Sequence, residues 1–354
     1  MSIGFHSLRV ASVERDADAL LVGLDIPDAL RDVFAYTAGQ YLTLRTFVDG
    51  ADLRRSYSIC SGADDQNLRV GIRLLPGGVF SGWASVNLRV GASLDVMPPQ
   101  GRFFVALDAR QRRHHLFIAA GSGITPMLSL ITTTLALEPL SRCTLLYGNR
   151  RIATTMFRDQ LAELKNQCLA RIAVHYVFSR EEQDAPLFNG RLDGARITQF
   201  LATLVPARGV DEAFVCGPAG MIEAASAALA AAGIAAEHTH VERFGDSAAA
   251  GEHHVEARDA DHAKVTLVID GLGRQIEFLL SDPSILDAAR RTGLDVPYAC
   301  KAGVCSTCKG KLLEGEVRMD RNFALSEAEV AQGFVLCCQS HPITPKVVIT
   351  LDER

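Results

Sequence analysis

Residues 297–317, PYACKAGVCSTCKGKLLEGEV, decide how this chain is interpreted. The stretch contains three closely spaced cysteines, and a fourth comes after 29 intervening residues: Cys300, Cys305, Cys308 and Cys338. Four thiolates at this spacing are typical ligands of a 2Fe–2S cluster of the plant type. Ala302 and Gly303 between them are small, which lets backbone amides approach the sulfur atoms. The spacing predicts an iron–sulfur domain in the last quarter of the chain.

Two alternatives for these cysteines are a zinc site and ordinary buried thiols. Structural zinc sites usually combine two close-spaced ligand pairs, and the second pair is absent here. Cys337 competes with Cys338 for the fourth ligand position, because neighbours on a strand face opposite sides. The cysteines outside the cluster are interpreted as small core hydrophobes: Cys60, Cys143 and Cys168.

Composition excludes several classes of protein. The 354 residues are 48% hydrophobic and 22% charged, so the chain can bury cores and is not expected to be disordered. A net charge of −5 gives no electrostatic case for nucleic-acid binding. The first ten residues do not resemble a signal peptide, and no apolar stretch reaches membrane-span length. We therefore expect a cytoplasmic protein with reduced thiols and no membrane partner.

Turn-forming residues and the periodicity of apolar residues divide the chain into four segments. Residues 1–108 carry short strand-like runs separated by Gly, Pro and Asp, which predicts a small antiparallel β-barrel. Residues 109–244 alternate strand and helix signals, which predicts an α/β domain with a parallel sheet. Residues 245–263 contain one large aliphatic side chain and are predicted to be a linker. Strands resume over 264–354, the segment that contains the cysteine cluster.

Two short motifs in the first segment suit a flavin. Arg55-Ser56-Tyr57-Ser58 is placed after a loop predicted at Val48–Arg54. A guanidinium suits a pyrophosphate, an aromatic ring can stack on a flavin, and a hydroxyl can meet the ring nitrogen that accepts hydride. Gly77-Gly78-Val79-Phe80-Ser81 then precedes a helix signal, and a helix start favours a phosphate. An ordinary surface strand is the alternative for the first motif.

The second segment carries a glycine turn between a strand and a helix signal. Gly121-Ser122-Gly123-Ile124-Thr125-Pro126 has glycines that permit close approach to phosphate and a proline suited to a first helical turn. It departs from the Gly-x-Gly-x-x-Gly fingerprint, which argues against a dehydrogenase-type domain. Cys216-Gly217-Pro218 follows another strand signal, at the edge where such sheets bind ligands. A plain turn and a buried strand-end thiol are the alternatives.

The nucleotide preference is argued from the stretch after the strand signal Ile172–Phe178. Ser179 and Arg180 suit a 2′-phosphate, whereas a ribose 2′-hydroxyl is usually met by an acid, so NADPH is favoured over NADH. Glu181 and Glu182 weaken that signal, and Arg180 as a solvated loop charge is the alternative. The histidines form no spaced ligand set, and the pair His114–His115 is expected to be solvated.

The flavin and nicotinamide motifs, in this order, resemble the ferredoxin–NADP reductase superfamily, and the cysteine loop resembles plant-type ferredoxins. The resemblance implies an FAD-binding β-barrel, an NAD(P)-binding α/β domain and a β-grasp (α+β) ferredoxin domain. It makes Cys338, the cysteine before Gln339, the fourth cluster ligand. It implies these FAD contacts: Arg55, Tyr57, Ser58, Ile72, Gly78 and Ser81. It implies these nicotinamide-nucleotide contacts: Gly121, Gly123, Thr125, Pro126, Ser179, Arg180, Cys216, Gly217 and Phe244. Tyr57, Ser58 and Cys216 are the predicted catalytic residues, with roles in positioning.

The domain order is that of oxygenase reductase components, and nearly the whole chain resembles the family of phenylacetyl-CoA epoxidase reductase subunits. The stretches LRRSYSIC, AAGSGITPML, EAFVCGPAGM and VLCCQS support this resemblance. It implies electron transfer from NADPH through FAD and a 2Fe–2S cluster to a partner oxygenase in phenylacetate catabolism. Three alternatives remain open. The chain could serve another oxygenase, such as an aromatic-ring dioxygenase; it could be a non-enzymatic iron–sulfur carrier; or it could be a zinc-dependent interaction module.

Overall fold

The computed structural model describes residues 4–63, 67–245 and 254–353. These residues form two compact units. The first unit contains Ser7–Leu53 and Tyr57–Phe244, which is most of the predicted barrel and α/β segments. The second contains the C-terminal residues from Gly245 onward together with Arg54–Ser56 and the residues before Ser7. Residues 246–253 of the predicted linker lie outside the described residues.

Six strands form the sheet of the N-terminal segment. They are β1 (His6–Asp16), β2 (Ala19–Asp25), β3 (Tyr41–Val48), β4 (Ala51–Ser58), β5 (Leu68–Arg73) and β6 (Ser93–Val96). The strand order is β4-β3-β6-β1-β2-β5, and the pairs β1–β2, β2–β5 and β3–β6 are antiparallel. Ile59, just after β4, bridges Val70 of β5, so the two outer strands meet and the sheet closes. The helix α1 (Val79–Asn87) follows β5. Closure removes free sheet edges and confirms the predicted antiparallel barrel.

The loop predicted at Val48–Arg54 is wrong. Only Asp49 and Gly50 lie between β3 and β4, with φ values of 50° and 77°. Asp-Gly is a preferred pair for a two-residue hairpin turn, because both positions need positive φ. The correction places Arg55, Tyr57 and Ser58 within a strand rather than after a loop.

The second segment is an α/β domain built on a five-stranded parallel sheet. Its strands are β7 (His114–Ala120), β8 (Arg142–Asn149), β9 (Ile172–Phe178), β10 (Glu212–Cys216) and β11 (Thr239–Glu242). Its helices are α2 (Ile124–Leu137), α3 (Arg158–Gln167), α4 (Gly194–Thr203) and α5 (Ala219–Ala231). The order is β11-β10-β7-β8-β9, and all four neighbouring pairs are parallel. The chain reverses its direction across the sheet between β7 and β10, so ligands are expected at the carboxyl ends of these two strands.

The expectation that His114 and His115 are solvated is wrong. Both side chains are buried at the start of β7. His114 bonds the Gly209 carbonyl at 2.9 Å, and His115 bonds the Glu138 carboxylate at 3.0 Å. Partners distant in the sequence therefore replace the water that the strand-edge position would otherwise provide.

The C-terminal segment is a mixed sheet with one helix packed on it. Its strands are β12 (Ala263–Ile269), β13 (Leu272–Phe278), β14 (Lys309–Glu314), β15 (Val317–Met319), β16 (Phe334–Leu336), β17 (Ser340–Pro342) and β18 (Lys346–Thr350). Its helices are α6 (Ile285–Arg291) and α7 (Glu327–Ala331). The main sheet has the order β13-β12-β18-β14-β16, with β12 and β18 parallel, and β15 pairs with β17 separately. Ile285 and Leu286 of α6 are fully buried in the same core as Val265 and Leu267. A helix packed on a mixed sheet confirms the predicted β-grasp class.

The segment just before β12 is tied to this domain. Arg318 on β15 bonds both carboxylate oxygens of Asp259 at 2.6 Å, and the Ala260 amide donates to the Pro342 carbonyl at 2.9 Å. Residues 259–263, at the end of the predicted linker, thus contact the C-terminal domain.

Within the described residues, six 3₁₀ turns connect other elements: Asp28–Leu30, Gly121–Gly123, Ile152–Thr154, Pro186–Phe188, Ala207–Gly209 and Ala236–His238. Among the described helices, none has the length and apolar character needed to cross a bilayer.

Candidate functional site

The four predicted cluster cysteines lie together in the loop before β14 and at the end of β16. The Cys300 thiol contacts those of Cys305 and Cys338, and the Cys308 thiol contacts that of Cys338. Cys305, Cys308 and Cys338 are buried. Cys337 is also buried, within the hydrophobic core of the domain. The structure therefore brings together Cys300, Cys305, Cys308 and Cys338, the four thiols that the spacing singles out.

Polar donors surround these sulfur atoms. The amide of Ala302 donates to Cys300 Sγ at 3.3 Å, and that of Cys338 donates to Cys308 Sγ at 3.5 Å. Gln339 Nε2 donates to Cys338 Sγ at 3.6 Å. Hydrogen bonds to cluster sulfurs tune reduction potential. The donors are those that anionic thiolates require.

The cysteine loop has a backbone suited to wrapping a compact group. Lys301 and Ser306 have φ values of 51° and 49°, in the left-handed region that L-residues rarely adopt. Gly303 has φ 74°, and a Cβ there would lie 3.0 Å from the Arg321 carbonyl oxygen. Within the described ranges, no three His, Cys, Asp or Glu side chains converge to hold one metal ion. A 2Fe–2S cluster instead takes two thiolates at each of two irons, and the thiol pairs fit that group.

The predicted flavin motif lies on β4 beside α1. The Tyr57 ring packs against the Phe80 ring, with centroids 5.4 Å apart and an interplanar angle of 44°. Arg55 is partly exposed and donates to the Arg54 carbonyl at 2.8 Å. Ile72 is fully buried in the barrel core, so only its backbone is available to a ligand. Tyr57 therefore provides a flat aromatic surface at the edge of the barrel.

A glycine cradle stands at the start of α1. Ser81 Oγ accepts from the Leu75 amide at 3.2 Å and donates to the Gly78 carbonyl at 3.4 Å, which closes the turn. A Cβ at Gly78 would lie 2.5 Å from Ser81 Oγ, and Gly77 has φ 72°. No side chain of the N-cap residue Gly78 caps the first amides of α1 in the described structure, so they are available to a phosphate. The residues present fit an FAD pyrophosphate.

The nucleotide turn joins β7 to α2. Gly121 has φ 54°, and a Cβ at Gly123 would lie 2.2 Å from the Cys216 carbonyl oxygen. Thr125 Oγ1 donates to the Ser122 carbonyl at 2.9 Å, and Pro126 is buried in the first turn of α2. Gly123 therefore lets the turn lie directly against the end of β10, at the sheet position where ligands bind.

An arginine outside the predicted set lies over this turn. Arg73, the last residue of β5, bonds Asp18 through Nε at 3.2 Å and Nη2 at 2.8 Å. Its remaining nitrogen, Nη1, is 2.5 Å from the position a Cβ would take at Gly121. Asp18 therefore fixes the guanidinium fork with one nitrogen directed at the turn.

Three polar groups meet at the carboxyl ends of β10 and β11. Ser58 Oγ donates to Glu242 Oε2 at 3.3 Å, and Glu242 is the parallel register partner of Cys216. Burial raises the pKa of Glu242 to about 8, against a small lowering by the Ser58 hydrogen bond. Burial, and secondarily the nearby Glu242 carboxyl, raise the pKa of Cys216. The site thus holds a neutral thiol and a carboxyl that is protonated at neutral pH.

The remaining predicted contacts lie near the same sheet edge. The amides of Ser179 and Arg180 donate to the carbonyls of Asn149 and Arg150, each at 3.0 Å. Arg180 is exposed and has no ion pair within the described ranges. A Cβ at Gly217 would lie 2.6 Å from Met221 Cε, and Phe244 is 39% exposed.

Three protein families match consecutive parts of the chain. Residues 9–105 match an oxidoreductase FAD-binding domain, residues 117–227 an oxidoreductase NAD-binding domain, and residues 267–342 a 2Fe–2S iron–sulfur cluster binding domain. The chain is 44% identical over 351 residues to a subunit of 1,2-phenylacetyl-CoA epoxidase from Escherichia coli, covering 99% of this chain and 98% of that protein. It is 31% identical to the 3-ketosteroid-9-alpha-monooxygenase ferredoxin reductase component of Rhodococcus rhodochrous, covering 96% and 94%.

The chain belongs to the family of oxygenase reductase components. The reductase also shares its fold with phthalate dioxygenase reductase, with a TM-score of 0.60 at 22% identity and coverage of 98% of both chains. The predicted fold class, FAD, NAD-type nucleotide and 2Fe–2S cluster are thereby confirmed.

Sequence reasoning missed two residues of the reductase site, Glu242 and Arg73. Glu242 ends the strand next to the one that leads into Cys216-Gly217-Pro218, and an acid at that position is a usable signal. Arg73 carries no local signal, since Asp18 and Gly121 reach it only in the folded barrel.

Proposed function

We propose that the reductase supplies electrons to the di-iron oxygenase that epoxidises phenylacetyl-CoA in phenylacetate degradation. The observation that carries this proposal is 44% identity along almost the whole chain to a subunit of phenylacetyl-CoA epoxidase. The weaker 31% identity to a steroid monooxygenase reductase makes service to another oxygenase the main competitor. The proposed compartment is the cytoplasm, and the nine described cysteines, which form no disulfide, support a reducing one.

A bound FAD would supply the conversion of a two-electron hydride donor into a one-electron supply. The chain's residues bind and orient the groups between which electrons move. We propose that Tyr57 covers one flavin face, and that Arg55 and the α1 amides hold the pyrophosphate. Ser58 and Cys216 position the reacting rings, and Glu242 holds a proton on its carboxyl beside Ser58. Phe244 lies close in sequence and is proposed to cover the flavin.

The proposed domain limits are 1–108 for FAD, 109–244 for the nucleotide, 245–263 for the linker and 264–354 for the cluster. The proposed nucleotide contacts are those of the glycine turn, with Gly121, Gly123, Thr125, Pro126 and Gly217 near the phosphates. Arg73 joins them, because its remaining nitrogen is directed at Gly121. The proposed cluster ligands are Cys300, Cys305, Cys308 and Cys338.

The proposed nucleotide is NADPH, with Ser179 and Arg180 at the 2′-phosphate. Arg150 supports this choice, because its carbonyl accepts from the Arg180 amide and its side chain is exposed. Arg191 follows Gly190, whose amide donates to the Phe178 carbonyl at 2.7 Å, so a third exposed guanidinium belongs to this edge. Guanidinium groups without carboxylate partners favour a phosphate.

Reconstitution tests the proposed partner. The purified reductase, NADPH and the oxygenase subunits of phenylacetyl-CoA epoxidase are mixed, and oxygen consumption and epoxide formation are measured. Coupled turnover well above that with a ring-hydroxylating dioxygenase or a steroid monooxygenase is expected. Faster turnover with one of those oxygenases would replace the proposed partner.

Arg180→Ala tests the nucleotide preference. We expect roughly a tenfold or larger rise in KM for NADPH and little change for NADH, because one charge-assisted phosphate contact is lost. Arg73→Ala is the matched comparison, since a pyrophosphate contact is common to both nucleotides and both KM values should rise. Steady-state kinetics with each nucleotide provide the measurement. An equal effect of Arg180→Ala on both nucleotides would remove the case for 2′-phosphate recognition.

A further inference from the structure

We propose that Glu181 is a positioning residue for the 2′-phosphate site: its carboxylate ties the loop after β9 to the loop after β8 and so holds Arg180 beside Arg150. This inference rests on the proposed preference for NADPH. It gives a role to an acid whose place in the sequence, directly after Arg180, otherwise opposes phosphate binding.

The tie consists of three successive hydrogen bonds beyond the strand ends. The Ser179 amide donates to the Asn149 carbonyl at 3.0 Å, and the Arg180 amide to the Arg150 carbonyl at 3.0 Å. The next residue, Glu181, uses its side chain, and Oε2 accepts from the Ile152 amide at 2.8 Å. Ile152 is the first residue of the 3₁₀ turn Ile152–Thr154. Glu181 therefore extends the β8–β9 pairing onto the turn that follows Arg150 and Arg151.

The charges at this edge explain why the tie matters. Arg150, Arg151 and Arg180 are exposed, and within the described part of the chain none of them forms an ion pair. Guanidinium groups held close together repel one another, so two free loops would separate them. Glu181 is partly buried and its carboxylate oxygen is engaged by a backbone amide. The carboxylate thus holds the loops together while its acceptor oxygen is directed at the backbone rather than at an arginine.

Two substitutions break this bond from opposite sides. Glu181→Ala removes the acceptor. Ile152→Pro removes the donor, and a proline is tolerated here because Ile152 starts a 3₁₀ turn and Arg151 before it is extended, with φ −145° and ψ 157°. Each variant is expected to raise KM for NADPH roughly three- to tenfold, because it loses the one hydrogen bond that positions Arg180. The kcat and the KM for NADH should be unchanged. The inhibition constant of adenosine 2′-phosphate should rise in parallel, and that of AMP should not.

Two further variants separate positioning from charge. Glu181→Gln keeps an acceptor oxygen and removes the negative charge, so it should retain the NADPH preference of the wild type. Glu182→Ala removes the adjacent, exposed carboxylate and should change neither KM. Thermal melting of each holoenzyme distinguishes loss of folding from loss of nucleotide selection.

The outcomes are distinguishable from failure of the proposed function. A wild type that uses NADH as well as NADPH would overturn the nucleotide preference itself. A wild type that prefers NADPH, with Glu181→Ala and Ile152→Pro both folded and equally selective, would overturn the role of Glu181. If Glu181→Ala does not fold, the Ile152→Pro variant alone decides whether the hydrogen bond positions Arg180. If Glu181→Gln also loses its preference for NADPH, the effect of Glu181 is due to its charge and the positioning role is overturned.

Discussion

Glu242 places a titrating carboxyl at the proposed reaction site. It accepts a hydrogen bond from Ser58 and lies in register with Cys216, so three groups from distant parts of the chain meet at one strand end. Burial raises the pKa of Glu242 to about 8 from 4.5, which leaves the carboxyl protonated at pH 7. At the proposed flavin site, a neutral carboxyl would oppose added negative charge less than a carboxylate does.

Glu242→Gln should therefore remove a pH dependence. In the wild type, the rate of flavin reduction by NADPH is expected to fall as pH rises through about 8, because the carboxyl then loses its proton. The amide cannot titrate, so the variant should show no transition there. Anaerobic stopped-flow absorbance between pH 6.5 and 9.5, a range chosen as roughly 1.5 units either side of that pKa, provides the measurement. Glu223→Gln, which alters a largely exposed carboxylate, is the control. An unchanged transition in Glu242→Gln would assign it to another group.

Single residues were predictable from the sequence where their signal is local. The cysteine spacing and the glycine turn at Gly121 are short stretches whose chemistry depends on neighbours in the chain. Glu242 and Arg73 were not predictable in this way, because Ser58 and Asp18 approach them only after folding. Sequence reasoning therefore singled out the glycines of the turn at Gly121 and missed Glu242 and Arg73.

Strands and turns, too, could be predicted where their signal is local, and contacts between distant residues could not. The strand signals at Ile172–Phe178 and Glu212–Cys216 match β9 and β10, because short, mainly apolar runs rich in β-branched and aromatic residues mark strands. The hairpin turn at Asp49–Gly50 was missed, although Asp-Gly is a local signal. The burial of His115 could not be predicted, because its partner Glu138 lies beyond the end of α2.

The amino-terminal edge of the parallel sheet is held by a buried carboxylate. Glu138 is fully buried and accepts from His115, from Ser141 and from the Asp108 amide, and it also pairs with Arg113. Burial alone would raise its pKa, but these hydrogen bonds outweigh burial and lower the pKa of Glu138 to about 2. The group therefore stabilises the fold whenever it is ionised.

Glu138→Gln should destabilise the nucleotide-binding half of the first unit by roughly 3 kcal/mol at pH 7. This free energy corresponds to the lowering of the pKa of Glu138 from 4.5 to about 2. A group whose pKa is lower in the folded than in the unfolded state stabilises the fold at pH values above its unfolded pKa. That stabilisation is lost as the pH falls toward its folded-state pKa. The difference between wild type and variant should thus be constant above pH 5 and shrink below about 4.5. Thermal melting across this range measures it, with the exposed Glu163→Gln as control. A difference that persists unchanged at pH 4 would contradict the argument.

At the scale of the whole molecule, the two compact units divide the chemistry. The first contains the glycine turn, Glu242 and Cys216, and the second contains the cluster cysteines. Each unit has its own hydrophobic core, so loss of one cofactor need not disturb the other. The order of modules was predictable from the sequence, because each has a motif with its own spacing.

Cys305→Ser tests this division. We expect loss of cytochrome c reduction and of cluster iron, while anaerobic flavin reduction by NADPH proceeds at the wild-type rate, because the altered thiol belongs only to the second unit. Cys337→Ala, at the neighbouring core thiol, should retain iron and activity. Loss of both reactions in Cys305→Ser would show that the modules are not separable.

The left-handed backbone at Lys301 and Ser306 has a consequence for biogenesis. Each such residue costs about 1–2 kcal/mol relative to a relaxed conformation, and a newly made chain without iron has no cross-link to offset that cost. Binding of inorganic sulfide and iron would offset that cost and so favour the folded loop, as structural metals do in small domains. Cells short of iron would accumulate chains that retain the nucleotide and flavin half yet offer proteases an opened segment near Cys300, so iron supply would govern how long the protein survives.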